Sequence, residues 1–175
     1  MAIPARLKAH FEQTHTAYFP VTHAPARSAQ YAASLLHVPG KELAKTVALR
    51  AGDKALLAVL PASYHINLDK LASVVGVGVK LMKEEECLRL FPDCQPGAIP
   101  PFGELYGLPV YLDRSLVEDP EIIFNAGTLS NGVRMGNTDF VHLAKPRICS
   151  FAERGEARTR RGMEGCDTPD EGGGK

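Results

Sequence analysis

The sequence predicts an α+β domain built on a curved, mixed β-sheet. Several short apolar runs carry strand periodicity, and helical segments are interspersed among them. The run Leu56-Leu57-Ala58-Val59-Leu60 is apolar on both faces, so that strand must be covered on both sides, one of them by helices. No internal repeat of about 20–50 residues is present, which excludes a solenoid or propeller.

The elements follow in order. Leu7, His10 and Phe11 have helical spacing over residues 5 to about 16. Residues 18–22 read as extended. Ser28 is the expected N-cap of a helix through Leu36, closed by Pro39-Gly40. Residues 45–51 and 55–60 form two strands around the turn Gly52-Asp53-Lys54, a hairpin signal. Asn67 caps a helix carrying Leu68, Leu71 and Val75. Residues 77–82 read as a short strand and residues 83–90 as a helix. Residues 110–112, 121–125 and 133–135 read as extended. Asn137 or Thr138 is expected to cap a last helix through Leu143, with Pro146 ending it.

The 175 residues suit one domain with a sizeable core. We expect that domain to occupy residues 1–150. Residues 151–175 are rich in Glu, Arg, Gly, Thr and Asp and end in Gly172-Gly173-Gly174-Lys175, so they read as a disordered tail. The Arg158-Thr159-Arg160-Arg161 cluster reads as part of that solvated tail. No apolar run approaches the roughly 20 residues of a membrane span, and residues 1–6 lack the apolar core of a secretory signal. A cytoplasmic location, away from membranes, is the expectation. Formal net charge is zero. That balance argues against tight, sequence-independent binding to duplex nucleic acid, DNA included, but leaves room for a local patch holding one end of an RNA.

The four cysteines, Cys87, Cys94, Cys149 and Cys166, form no CxxC pair and have no histidines at zinc spacing. They read as reduced structural or surface thiols. His10, His15, His37, His65 and His142 show no metal spacing either, and no P-loop or Rossmann glycine pattern is present. No cofactor or metal is therefore expected.

Three segments stand out. Gly97-Ala98-Ile99-Pro100-Pro101-Phe102-Gly103 places a proline pair between glycines, a stiff stretch whose bare N–H groups can seat a carbonyl oxygen. It is otherwise a surface turn. Lys45 shares a strand face with Val47, Leu49 and Ala51, so a cation stands at the head of an apolar row. Such a lysine sits at a cleft or at a fraying strand end. Asn125-Ala126-Gly127-Thr128 follows an apolar strand and is either a site element or a strand-ending turn. His23, before Ala24-Pro25, is a base, a ligand or a loop residue.

Taken in order, these segments resemble the YbaK and prolyl-tRNA-synthetase-associated domain family. The likeness runs from Phe19 to about Pro146. It is carried by residues 40–50 (GKELAKTVALR), 58–62 (AVLPA), 67–71 (NLDKL), 96–103 (PGAIPPFG), 109–113 (PVYLD), 123–128 (IFNAGT) and Arg134-Met135. The resemblance implies a barrel-like mixed sheet with flanking helices. It implies hydrolysis of the ester in mischarged aminoacyl-tRNA by a free-standing editor acting in trans. The family's functional lysine falls on Lys45, its GxxxP loop on Gly97 through Pro101, and its second glycine on Gly127. The chain departs from many relatives at Leu129, where they carry a histidine two residues after that glycine.

On this basis the expected catalytic set is Lys45, Gly97, Pro101 and Gly127. The expected substrate-binding set is His23, Thr46, Ala98, Ile99, Pro100, Phe102, Asn125 and Thr128. Backbone N–H groups near residues 97–101 and at Gly127 would hold the ester carbonyl and its oxyanion. Lys45 would fix the terminal adenosine or its phosphate, or position the amino acid. The nucleophile would be water or the neighbouring ribose 2′-hydroxyl. The expected partner is the 3′ acceptor end of mischarged tRNA, with an aminoacyl-tRNA synthetase as a second. The competing reading is a non-catalytic module that holds the acceptor end or a synthetase.

Overall fold

The computed structural model describes residues 3–25 and 43–154. Helix α1 (Ala5–Gln13) buries Leu7 and Phe11, one turn apart on one face. It stops short of residue 16. The Thr14 hydroxyl donates to the His10 carbonyl at 2.7 Å and closes the last turn. Strand β1 (Phe19–Thr22) follows. The helix expected over residues 28–36 lies outside the described residues.

Strands β2 (Leu43–Ala51) and β3 (Lys54–Pro61) form the expected antiparallel hairpin, closed at the pair Ala51↔Lys54 around Gly52-Asp53. Strand β4 (Tyr64–Ile66) leads to α2 (Leu68–Val75). As expected, Asn67 caps this helix, its side chain accepting the Lys70 N–H at 3.0 Å. Strand β5 (Val79–Leu81) and helix α3 (Glu84–Leu90) precede the loop to β6 (Val110–Asp113). A hairpin of β7 (Glu121–Thr128) and β8 (Asn131–Gly136) runs into α4 (Asn137–Ala144). Short strands β9 (Arg147–Cys149) and β10 (Ala152–Arg154) end the described chain.

The main sheet has the order β1-β8-β7-β2-β3-β6-β9, with β5 added on β2. It is mixed, as expected: β2–β7, β3–β6 and β6–β9 are parallel and the other pairs antiparallel. The strand path has two ends, β1 and β9, so the sheet does not close into a barrel. Apolar residues of β3 divide by parity. Leu57 and Val59 join the larger core with Phe102, Phe124 and Phe140, whereas Leu56, Ala58 and Leu60 join a second core with Leu71, Tyr111 and Phe151. This two-sided burial is why residues 56–60 carry no polar face. Among the described residues, no helix is long and apolar enough to cross a membrane.

The cap expected for the last helix is corrected. The N-cap of α4 is Gly136, not Asn137 or Thr138. Asn137 turns its amide inward instead and donates to the carbonyls of Leu116 and Asp119. The described residues continue to 154. Phe151 is fully buried, and β10 pairs antiparallel with β4. The buried carboxylate of Asp113 organises this end, accepting the N–H groups of Phe151 at 2.9 Å and Ala152 at 2.8 Å. Phe151→Ala is expected to cost about 3–5 kcal/mol of stability, as a lower midpoint in denaturant unfolding.

Candidate functional site

The sheet splits beside Lys45. On one edge of β2, β7 pairs in parallel only through Leu43↔Ile123 and Ala44↔Phe124. Farther along the same edge β5 pairs from Leu49 to Ala51. Between these ladders, residues 45–47 have no strand partner on that side among the described residues. The parallel register carries Lys45 to the level of Asn125 and onto the same face, because side chains alternate on both strands. Parallel strands that separate at their carboxyl ends leave a crevice of the kind α/β proteins use for ligands.

Past the split, β7 finds other partners. The Gly127 N–H donates to the Ala98 carbonyl at 2.8 Å, and the Gln95 N–H donates to the Gly127 carbonyl at 2.8 Å. The Leu129 N–H donates to Gln95 Oε1 at 2.9 Å. The glycine–proline loop and the β7–β8 hairpin are thus clasped together around Gln95. Gly127 has φ of +89°, and a Cβ there would lie 2.6 Å from Pro4 Cδ. Only glycine meets both conditions. At Gly97, with φ of +82°, a Cβ would sit 3.8 Å from the Leu129 side chain, so Leu129 forms apolar wall where the resemblance led us to look for an imidazole.

These bonds change the expected set of donors. The Gly127 N–H is engaged by Ala98, and the Ala98 N–H by the Gln95 carbonyl at 3.0 Å. Pro100 and Pro101 have no N–H. The N–H groups of Gly97 and Ile99 have no hydrogen-bond partner among the described residues. Gly127 therefore shapes the loop, and the oxyanion role expected of its amide is withdrawn.

Lys45 is half-buried, and its Nζ donates a long bond of 3.4 Å to the Ala62 carbonyl. Burial pushes its ammonium below the ordinary lysine value. Among the described residues no carboxylate is paired with it and its one hydrogen bond is to a carbonyl, which suits it to meet an anionic or carbonyl oxygen. Thr46, on the opposite face, has a buried Oγ1 without a hydrogen-bond partner among the described residues. His23 reaches the hairpin tip through its N–H, which donates to the Ser130 carbonyl at 2.9 Å. Its Nδ1 lies 2.7 Å from the Ala24 carbonyl, which assigns the proton to Nδ1, and its buried Nε2 has no partner among the described residues.

Other expected contacts lie behind the surface. Phe102 is 1% exposed and packs edge-on against Phe11, Phe124 and Phe140, so it supports the loop from the core. Ala98 and Ile99 are also buried. Thr128 Oγ1 accepts the N–H of Asn131 at 3.0 Å and its side-chain amide at 2.7 Å, bracing the hairpin turn. Burial pushes the thiols of Cys87, Cys94 and Cys149 upward, which makes them poor nucleophiles. Among the described residues, no group of three or more His, Cys, Asp or Glu side chains is placed to hold a metal.

The clasp residue Gln95 was not foreseen. Its only sequence signal is its place just before Pro96-Gly97. Pro4, which blocks any side chain at Gly127, has no local signal at all.

Residues 23–143 match the aminoacyl-tRNA editing domain family. The chain belongs to this family. The match takes in the β2–β7 split, the glycine–proline loop and the hairpin of the editing domain, but leaves out α1. Two curated relatives, from Escherichia coli K12 and O157:H7, each share 36% identity over 98 residues and bear the name multifunctional Ser/Thr-tRNA deacylase ProXp-y. The alignment covers 55% of this chain and 58% of each relative. The crystal structure of hypothetical protein APE2540 superposes with a TM-score of 0.78 at 18% identity, covering 85% of this chain and 99% of that one. A crystal structure described as a candidate trans-editing enzyme for prolyl tRNA synthetase gives 0.74 at 23% identity, covering 85% and 95%. At these identities the two structures show that the editing domain shares their fold.

Proposed function

We propose that this editing domain hydrolyses the ester bond of mischarged aminoacyl-tRNA, taking the 3′ acceptor end into the crevice between β2 and β7. The observation that carries the reading is the split itself, which leaves on β2 a partly desolvated Lys45 with no ion pair among the described residues, while the clasped loop has N–H groups at Gly97 and Ile99 without partners among the described residues. Oxyanion donors of this kind contribute about 3–4 kcal/mol each to transition-state stabilisation. Lys45, a cation, holds an oxygen of the terminal nucleotide or of the aminoacyl group. Water attacks the carbonyl, with the neighbouring ribose 2′-hydroxyl assisting by hydrogen bonding, and the ribose ester oxygen leaves and takes up a proton, giving free amino acid and tRNA.

Small amino acids suit such a site. A synthetase separates neighbours that differ by one methylene by only about 1–3 kcal/mol, so a second, size-limited site removes the errors. The curated relatives' name supports seryl and threonyl esters as the first to try, with alanyl and cysteinyl esters beside them. The test is deacylation of these mischarged tRNAs, each at saturating and limiting enzyme. Ester loss well above the spontaneous rate is expected for at least one. A module that only holds the acceptor end would slow ester loss instead, and that result would overturn the proposal.

A further inference from the structure

We propose that Arg6, on helix α1 and outside the region matched to the family, is a positioning residue for the deacylation crevice. The inference rests on the reading of that crevice as the deacylation site. Arg6 Nε lies 2.8 Å from Asp93 Oδ2, its Nη1 donates to the Leu105 carbonyl at 3.2 Å, and its guanidinium sits 4.6 Å from the Tyr106 ring centroid. Tyr106 in turn donates its hydroxyl to Asp93 Oδ1 at 3.0 Å. Three contacts from one side chain therefore grip both flanks of the glycine–proline loop: Asp93, two residues before the clasp at Gln95, and Leu105-Tyr106 just beyond Gly103.

The same helix reaches the other half of the crevice through its N-cap. Pro4 stands where a side chain on Gly127 would go. Helix α1 thus touches both partners of the clasp, the loop through Arg6 and the hairpin through Pro4. Leu7 and Phe11 seat it in the core, so it is a fixed support rather than a loose arm.

The exposure of the pair separates positioning from mere stabilisation. The Arg6 and Asp93 side chains are 41% and 28% exposed. Ion pairs this wet contribute little to folding. Loss of Arg6 should leave the protein folded and move the loop. A displacement of about 1 Å at a reacting geometry costs up to about 100-fold in rate.

The experiment compares wild type, Arg6→Ala, Arg6→Lys and Asp93→Asn on the best mischarged tRNA, at a temperature below every variant's melting transition. Backbone amide resonances of Gly97 and Gly127 are recorded for each. We expect kcat to fall about 10-fold or more in Arg6→Ala with KM within about twofold, partial recovery in Arg6→Lys, and shifted amides at both glycines. Wild-type kcat in Arg6→Ala, or unmoved amides, overturns the proposal. Should no ester be hydrolysed by the wild type, the functional reading fails, while the resonances still decide whether Arg6 sets the loop.

Discussion

Gly127→Ala is expected to lower stability by about 3 kcal/mol and deacylation by about 100-fold, the largest combined effect of any single substitution in the crevice. Two causes add. A backbone at φ of +89° strains any residue with a Cβ, and the new methyl lands on the Pro4 ring. The strain costs roughly 1 kcal/mol. The collision forces the hairpin or α1 to move and adds roughly 1–3 kcal/mol, as overpacking does. Because Gly127 bonds Ala98 and Gln95 through its own peptide groups, the displacement passes directly to the loop. Thermal unfolding and single-turnover deacylation measure the two effects. Pairing the substitution with Pro4→Gly should return part of both losses, since it removes the collision and leaves the φ strain. An unchanged melting point for Gly127→Ala alone would show that the close approach of Pro4 is wrong.

Lys45→Met is expected to abolish deacylation, by about 100-fold or more, without loss of stability. The ammonium is partly desolvated and, among the described residues, makes one long bond to Ala62, so an apolar side chain of similar length suits the site as well or better. The pH dependence carries the same sign. The folded state binds this proton less tightly than the unfolded chain, so stability from Lys45 is lowest while the amine is charged in both states. It recovers as pH rises through the depressed value toward the ordinary one of about 10.4. In Lys45→Met that alkaline rise should vanish from denaturant midpoints measured across pH. A variant with full activity would remove Lys45 from the mechanism. A variant that unfolds would show that the lysine is structural.

What could be read from residues alone was what neighbours in sequence decide. Alternation exposed Lys45 as the odd member of its strand face, two-sided apolarity marked residues 56–60 as covered on both sides, and Asn67 announced its helix. Long-range partners escaped. Nothing near Phe151 indicates that Asp113, far back in the chain, accepts its N–H. Nothing near Gly127 indicates that Ala98 takes its amide, and so the sequence alone offers that glycine as a donor to substrate. Asn137 looked like a cap because caps are local, yet its amide serves distant carbonyls. The family resemblance located Lys45, Gly97 and Gly127 in the chain, but their division of labour came from hydrogen bonds that span tens of residues.

The bonds from Gly127 to Gln95 and Ala98 make one wall of the crevice a single stiff plate. Its two segments cannot be adjusted independently. Under the proposed deacylation, room for a bulkier aminoacyl group has to be sought on β2, where residues 45–47 lie between two ladders. Attempts to broaden or narrow the range of accepted esters should therefore start at Thr46 and Val47, and leave the proline pair alone.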